Sequence, residues 1–119
     1  MNVSKVSKSG LACTQTGTPY YSSPEVWGDL PYTSKCDIWS LGCVLYEMAA
    51  MRPPFLAAGL PELRKKIETG VCDRIPAIYS QDLDAFVRLC MAPSPKDRPS
   101  AEELLHNPLI RKQLYRFPN

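Results

Sequence analysis

The stretch from Ile38 to Met51, I-W-S-L-G-C-V-L-Y-E-M-A-A-M, constrains the fold more than any other part of the chain. Its apolar residues fall on nearly every helical face. Such a helix belongs in the middle of a core rather than on its surface. Just ahead of it, Ser34-Lys35-Cys36-Asp37 sets a hydroxyl residue three positions before an acid, the spacing of a capping box. Pro53 and Pro54 end it, because proline lacks the N–H and its ring clashes with the preceding turn.

Other helices are expected around this one. Residues 60–69, L-P-E-L-R-K-K-I-E-T, are helical and mostly charged, with Gly70 where a C-terminal cap belongs. Its basic run Arg64-Lys65-Lys66 reads as a solvated face. Ser80 precedes a helix over 81–91, in which Leu83, Phe86, Val87 and Cys90 follow the i, i+3, i+4, i+7 pattern. Ser100 and Glu103 make a second capping box, which opens a short helix through Leu104 and Leu105. Asn107-Pro108 closes it, and a last amphipathic turn is expected over 109–114. No strand pattern or repeat stands out. The expected fold class is mainly α, with four or five helices gathered around one very apolar helix.

The chemistry open to such a chain is bounded by a few counts. A length of 119 residues suits one compact domain with a modest core. A net charge of +2 gives no argument for nucleic acid or an anionic membrane surface. No run approaches the length of a membrane span, and the first residues lack the apolar stretch of a secretory signal. The five cysteines are odd in number and form no C-x-x-C, so reduced, mostly buried thiols are expected and no zinc site. A single histidine, His106, argues against a catalytic triad or a His-based metal site, and reads as a surface residue near a helix end.

Residues 14–25, T-Q-T-G-T-P-Y-Y-S-S-P-E, are too polar for a core strand and too broken by Gly and Pro for a helix. Two tyrosines and the following Val26-Trp27 still give this loop bulk to bury. A loop both chemically rich and packed down is suited to hold or position something.

Several of these segments, in order, resemble the second half of a protein-kinase catalytic domain. Gly17-Thr18-Pro19-Tyr20-Tyr21 resembles the loop that receives the peptide substrate, and Ser23-Pro24-Glu25 the A-P-E motif, with Ser in place of Ala. Asp37-Ile38-Trp39-Ser40-Leu41-Gly42 is similar to the D-x-W-S-x-G start of the central helix of the C-lobe. Arg52-Pro53-Pro54-Phe55 resembles the turn after it, and Lys96-Asp97-Arg98-Pro99-Ser100 the late motif whose Arg pairs with the A-P-E Glu. N-V-S-K near the start, T-Q-T-G-T-P-Y-Y and P-E-V-W together look most like the NIMA-related (Nek) serine/threonine kinases.

The resemblance implies a helical C-lobe fragment without the N-lobe sheet. Residues 1–110 would form a partial kinase domain, with the activation segment at 1–25 and the helical lobe at 26–110. Residues 111–119 would be a tail. The metal-binding Asp would stand immediately before Met1. Thr18 would bond the catalytic Asp and a nearby Lys. Pro19, Tyr20 and Tyr21 would shape the pocket for the residue after the phosphoacceptor. Thr14 is the preferred site of an activating phosphate, with Thr16 as the competitor. Glu25 and Arg98 would form a mostly buried ion pair. Asp37 would hold the catalytic-loop backbone or cap its own helix, and Trp39 would sit in the core. ATP and Mg2+ are implied as cofactors and a protein as substrate. The family's setting is the cytoplasm, with links to the cytoskeleton, cilium and centrosome. The chain contains no Gly-rich phosphate loop, no V-A-I-K and no H-R-D, so no catalytic or metal-binding residue is expected in it and no turnover by it alone. The alternative is a non-catalytic, pseudokinase-like interaction module.

Overall fold

The computed structural model describes residues 19–114. Among them, α1 is Pro24–Trp27, α2 Lys35–Ala50, α3 Leu60–Thr69, α4 Gln81–Cys90, α5 Ala101–Leu105 and α6 Pro108–Leu114, with a 3₁₀ turn at Pro95–Asp97. No strand occurs among the described residues. The fold is the mainly helical one expected, a helical piece of the C-lobe type.

The core gathers on one side of α2. Trp39, Cys43 and Tyr46 from α2 meet Phe55, Leu63 and Ile67, Ile75, Val87 and Met91. The rings of Trp39 and Phe55 stack with centroids 5.7 Å apart. A second cluster joins Ile38 of α2 to Phe86 and Cys90 of α4 and Leu104 of α5. The two longest contacting helices, α2 and α4, approach so closely because Gly42 has no side chain. A Cβ there would lie 2.7 Å from Met91 Cγ and 2.8 Å from Cys90 Cβ.

The opposite face of α2 departs from the expectation of burial all round. Leu41, Val44 and Met48 are exposed, Met48 by 68%. They recur at i, i+3 and i+7 and so form one stripe. Apolar patterning reports what a helix can bury, and no described element covers this stripe.

Helix ends differ in part from their sequence signals. The Ser34 side chain makes no capping hydrogen bond, because Ser34 is already in helical conformation. Thr33 Oγ1 instead accepts from the Lys35 N–H at 3.2 Å. At the other end Met51 takes the left-handed conformation, φ 63°, and its N–H donates to Glu47 O at 2.8 Å. Gly70 ends α3 with φ 70°. Ser80 caps α4 by accepting from the Leu83 N–H, and the Ser100–Glu103 capping box is complete.

Among the described cysteines, Cys43, Cys72 and Cys90 are free thiols, and Cys36 is disulfide-bonded, which the expectation of reduced thiols did not include. Burial pushes the Cys90 thiol up to about 11 and the Cys43 thiol further still.

Candidate functional site

The site begins with a turn. The Ser22 N–H reaches Pro19 O at 3.4 Å, so Tyr20 and Tyr21 are its central residues. Both tyrosines pack against the main core cluster. The Ser40 hydroxyl of α2 donates to Tyr21 O at 2.8 Å. Thr14, Thr16 and Thr18 lie outside the described residues.

After the turn, Pro24 opens α1 at its first position, where its missing N–H costs nothing. Beyond α1, the Asp29 N–H donates to Val26 O and the Leu30 N–H to Glu25 O, with Asp29 in the left-handed region at φ 53°. These two bonds make a Schellman closure, which holds the short helix together.

Inside α1, Glu25 meets Arg98. Arg98 Nη1 donates to Glu25 Oε2 at 2.7 Å and Nη2 to Oε1 at 2.8 Å. The remaining donors are also used: Nη1 to Lys35 O at 3.0 Å, Nη2 to Pro93 O at 3.0 Å and Nε to Ala92 O at 2.7 Å. All five guanidinium N–H groups therefore have an acceptor. The Arg98 side chain is fully buried and that of Glu25 is 5% exposed. The guanidinium carbon lies 5.1 Å from the centre of the Trp39 ring, a cation–π contact that ties the pair to the core. Burial pushes the Glu25 carboxyl up, but the hydrogen bonds and charge of Arg98 outweigh it and leave the carboxyl below its usual range. Lys35 Nζ donates to Arg98 O at 2.7 Å and Pro95 O at 3.3 Å, which fixes the turn carrying Arg98 to the start of α2.

Asp37 stands in the first turn of α2, where burial pushes its carboxyl above the usual range. It lies two residues from Trp39, and the side chains of both are carried by the same helix start. The basic run on α3 is partly consumed locally. Arg64 pairs with Glu68 at 3.0 Å, and Lys66 Nζ donates to Leu56 O. His106 is exposed at the end of α5.

The structure thus brings together Tyr21, Glu25, Asp37, Trp39 and Arg98 around the start of α2. The protein kinase domain family matches residues 2–110. The chain belongs to the protein kinase family. It is 48% identical over 95 residues to serine/threonine-protein kinase Nek3 of Mus musculus, covering 80% of this chain and 19% of that protein. It is 48% identical over 100 residues to serine/threonine-protein kinase Nek2 of Homo sapiens, covering 84% and 22%. It is 43% identical over 110 residues to the G2-specific protein kinase nim-1 of Neurospora crassa, covering 92% and 13%. These likenesses agree with the motifs in assigning this kinase segment to the Nek group. The chain spans only 13–22% of the length of these curated relatives.

Protein kinases use ATP and Mg2+. Among the described residues no group of three or more His, Cys, Asp or Glu is placed to hold a metal ion. The described cavities, such as the one of about 310 Å³ between Pro24, Leu30, Arg64 and Pro93, carry no phosphate-binding glycine loop. The described residues therefore do not fit the nucleotide–metal group. What the sequence did not reveal is the partner of Ser40, the serine of the D-x-W-S-x-G stretch, because its bond to Tyr21 O spans 19 residues and leaves no local signature.

Proposed function

We propose that this chain is the substrate-side, scaffolding part of a Nek-like serine/threonine protein kinase. The full-length protein would transfer the γ-phosphate of ATP, with Mg2+, to a Ser or Thr hydroxyl of a protein. The observation that carries this reading is the buried Glu25–Arg98 pair. It fixes the end of the loop at Pro19–Ser23 to the helical lobe. A loop so anchored at its far end is suited to present a fixed surface to a peptide.

Within this reading, residues 1–25 act as activation segment, 26–110 as helical lobe and 111–119 as tail. Pro19, Tyr20 and Tyr21 shape the pocket next to the phosphoacceptor, and Thr18 bonds the catalytic Asp of the full protein. Thr14, or else Thr16, takes an activating phosphate. Asp37 holds the catalytic-loop backbone. The 119-residue chain by itself has no nucleotide site and does not turn over. The cytoplasm, with the cytoskeleton, cilium or centrosome, is the setting that goes with the family resemblance, and protein substrates are the partners.

The test compares two proteins. Full-length enzyme given ATP, Mg2+ and a Ser/Thr peptide library should incorporate phosphate on Ser or Thr, and the 119-residue chain should not. Phosphate transfer by the short chain overturns its inactivity. No transfer by the full-length protein overturns the kinase reading.

A second reading, a non-catalytic interaction module, draws support from the exposed stripe Leu41, Val44 and Met48 on α2. Under it, the chain would bind a protein partner through that stripe, and Met48→Lys would abolish the binding.

A further inference from the structure

We infer that Ser40 is a positioning residue for substrate, holding the Pro19–Ser22 turn on α2 through its hydrogen bond to the Tyr21 carbonyl. The inference rests on the reading that this turn receives the substrate peptide.

A helical serine ordinarily turns its hydroxyl back to the carbonyl four residues earlier. Ser40 has that option, with Cys36 O 3.2 Å from its Oγ, but Tyr21 O is nearer at 2.8 Å. The hydroxyl has one proton to give. The shorter contact directs it to the turn. Ser40 is 5% exposed, so water does not compete for that proton.

The helix beneath it does not yield. Trp39 is stacked on Phe55, and two residues after Ser40 the bare backbone of Gly42 is wedged against Cys90 and Met91. The turn, by contrast, is closed by a long backbone contact of 3.4 Å, from the Ser22 N–H to Pro19 O. Ser40 thus grips the turn at Tyr21, and Arg98 grips the chain at Glu25. Between these points only Ser22, Ser23 and Pro24 intervene. The side chains of Tyr20 and Tyr21 pack on the core, but packing leaves the peptide planes free to tilt, and a carbonyl bond fixes them. A peptide that lies against the turn binds best where its backbone is already set. Loss of the hydroxyl therefore weakens peptide binding and leaves the phosphate-transfer step alone.

The experiment uses the full-length protein and its Ser40→Ala variant. With ATP saturating, the variant should raise KM for a peptide substrate about three- to tenfold, while kcat and KM for ATP stay within about twofold. Hydrogen exchange should quicken at the amides of Tyr20 to Ser23 and stay unchanged in α4. An unchanged peptide KM overturns the role of Ser40 while the kinase reading stands. So does equal loss of protection in the turn and in α4, which marks a general structural defect. A wild-type protein that phosphorylates no peptide removes the kinase reading itself and this inference with it.

Discussion

Arg98 and Glu25 are 73 residues apart in sequence and face each other in two parallel hydrogen bonds of 2.7 and 2.8 Å, both out of water. Arg98 also donates to the carbonyls of Lys35, Ala92 and Pro93. One side chain therefore joins α1, the start of α2 and the turn after α4.

Removing either partner strands a buried charge. Arg98→Ala and Glu25→Ala should each cost about 3 to 5 kcal/mol in urea unfolding of the chain. Arg98→Lys should recover little, because an ammonium cannot fill the fork or meet five acceptors. A lysine variant within about 1 kcal/mol of wild type contradicts this account of the site.

The same pair sets an acid limit. The Glu25 carboxyl sits below its ordinary value of 4.5 in the folded chain. The unfolded chain takes up a proton first as pH falls, so the pair's contribution is full above that ordinary value. It is lost as pH falls through the folded one. Asp84 adds to the trend: burial pushes its carboxyl up, but the bonds from Arg88 and the Ile75 N–H outweigh it and hold the carboxyl below its ordinary range. Unfolding free energy should decline from about pH 5 downwards, with a shallower decline in Glu25→Gln. An equal pH slope in both proteins is the contrary result.

Gly42 tests the packing of α2 on α4. A methyl there would meet Met91 Cγ and Cys90 Cβ at distances real contacts do not reach, with Val87 O at 3.3 Å. Gly42→Ala gains helix propensity yet should destabilise the chain by about 1 to 3 kcal/mol, because the overpacking outweighs that gain. Circular dichroism of thermal unfolding reads the sign directly. A stabilised variant means that α4 gives way without cost.

Much of the fold is legible in the sequence and some of the site is not. The bounds of α3 and α4 follow from Gly70, Ser80 and a regular apolar period. The Ser100 capping box is legible for the same reason, since its two partners are three residues apart. Other features depend on what the backbone does elsewhere. Ser34 carries the letters of a cap but is already helical, so its hydroxyl does not reach the open N–H groups. The apolar letters of Leu41, Val44 and Met48 do not say whether a neighbour covers them. The Ser40–Tyr21 bond and the carbonyls around Arg98 leave no mark in any local pattern, because backbone acceptors are the same at every residue.

Met51 is a further case, and it is testable. Nothing in a methionine signals the left-handed conformation, yet Met51 holds φ 63° and is 86% exposed. The strain of that conformation is not offset by burial. Met51→Gly should stabilise the chain by about 0.5 to 1 kcal/mol, and Met51→Val should destabilise it, since a β-branched residue suits that conformation least. Equal stability of the glycine and valine variants would contradict the strain.

The buried thiols set the alkaline limit. Burial pushes Cys90 from its ordinary 9.0 up to about 11, and Cys43 rises further, by burial first and then by its neighbour Cys72. In the unfolded chain both thiols lose their protons near the ordinary value, while the folded chain keeps them. The folded state then binds more protons, so stability falls as pH rises. Unfolding free energy should drop between about pH 9 and about pH 11, and Cys90→Ala should lessen the slope even though it lowers the starting stability by leaving a cavity. Folded chain at about pH 8 should also leave Cys43 and Cys90 unmodified by a thiol reagent that labels Cys72 slowly, since burial pushes the Cys72 thiol up as well but leaves it partly exposed, and a thiol must be both ionised and reachable to react. Equal labelling of all three at that pH means that the core opens faster than the reagent attacks, and the buried positions of Cys43 and Cys90 would then not govern their chemistry.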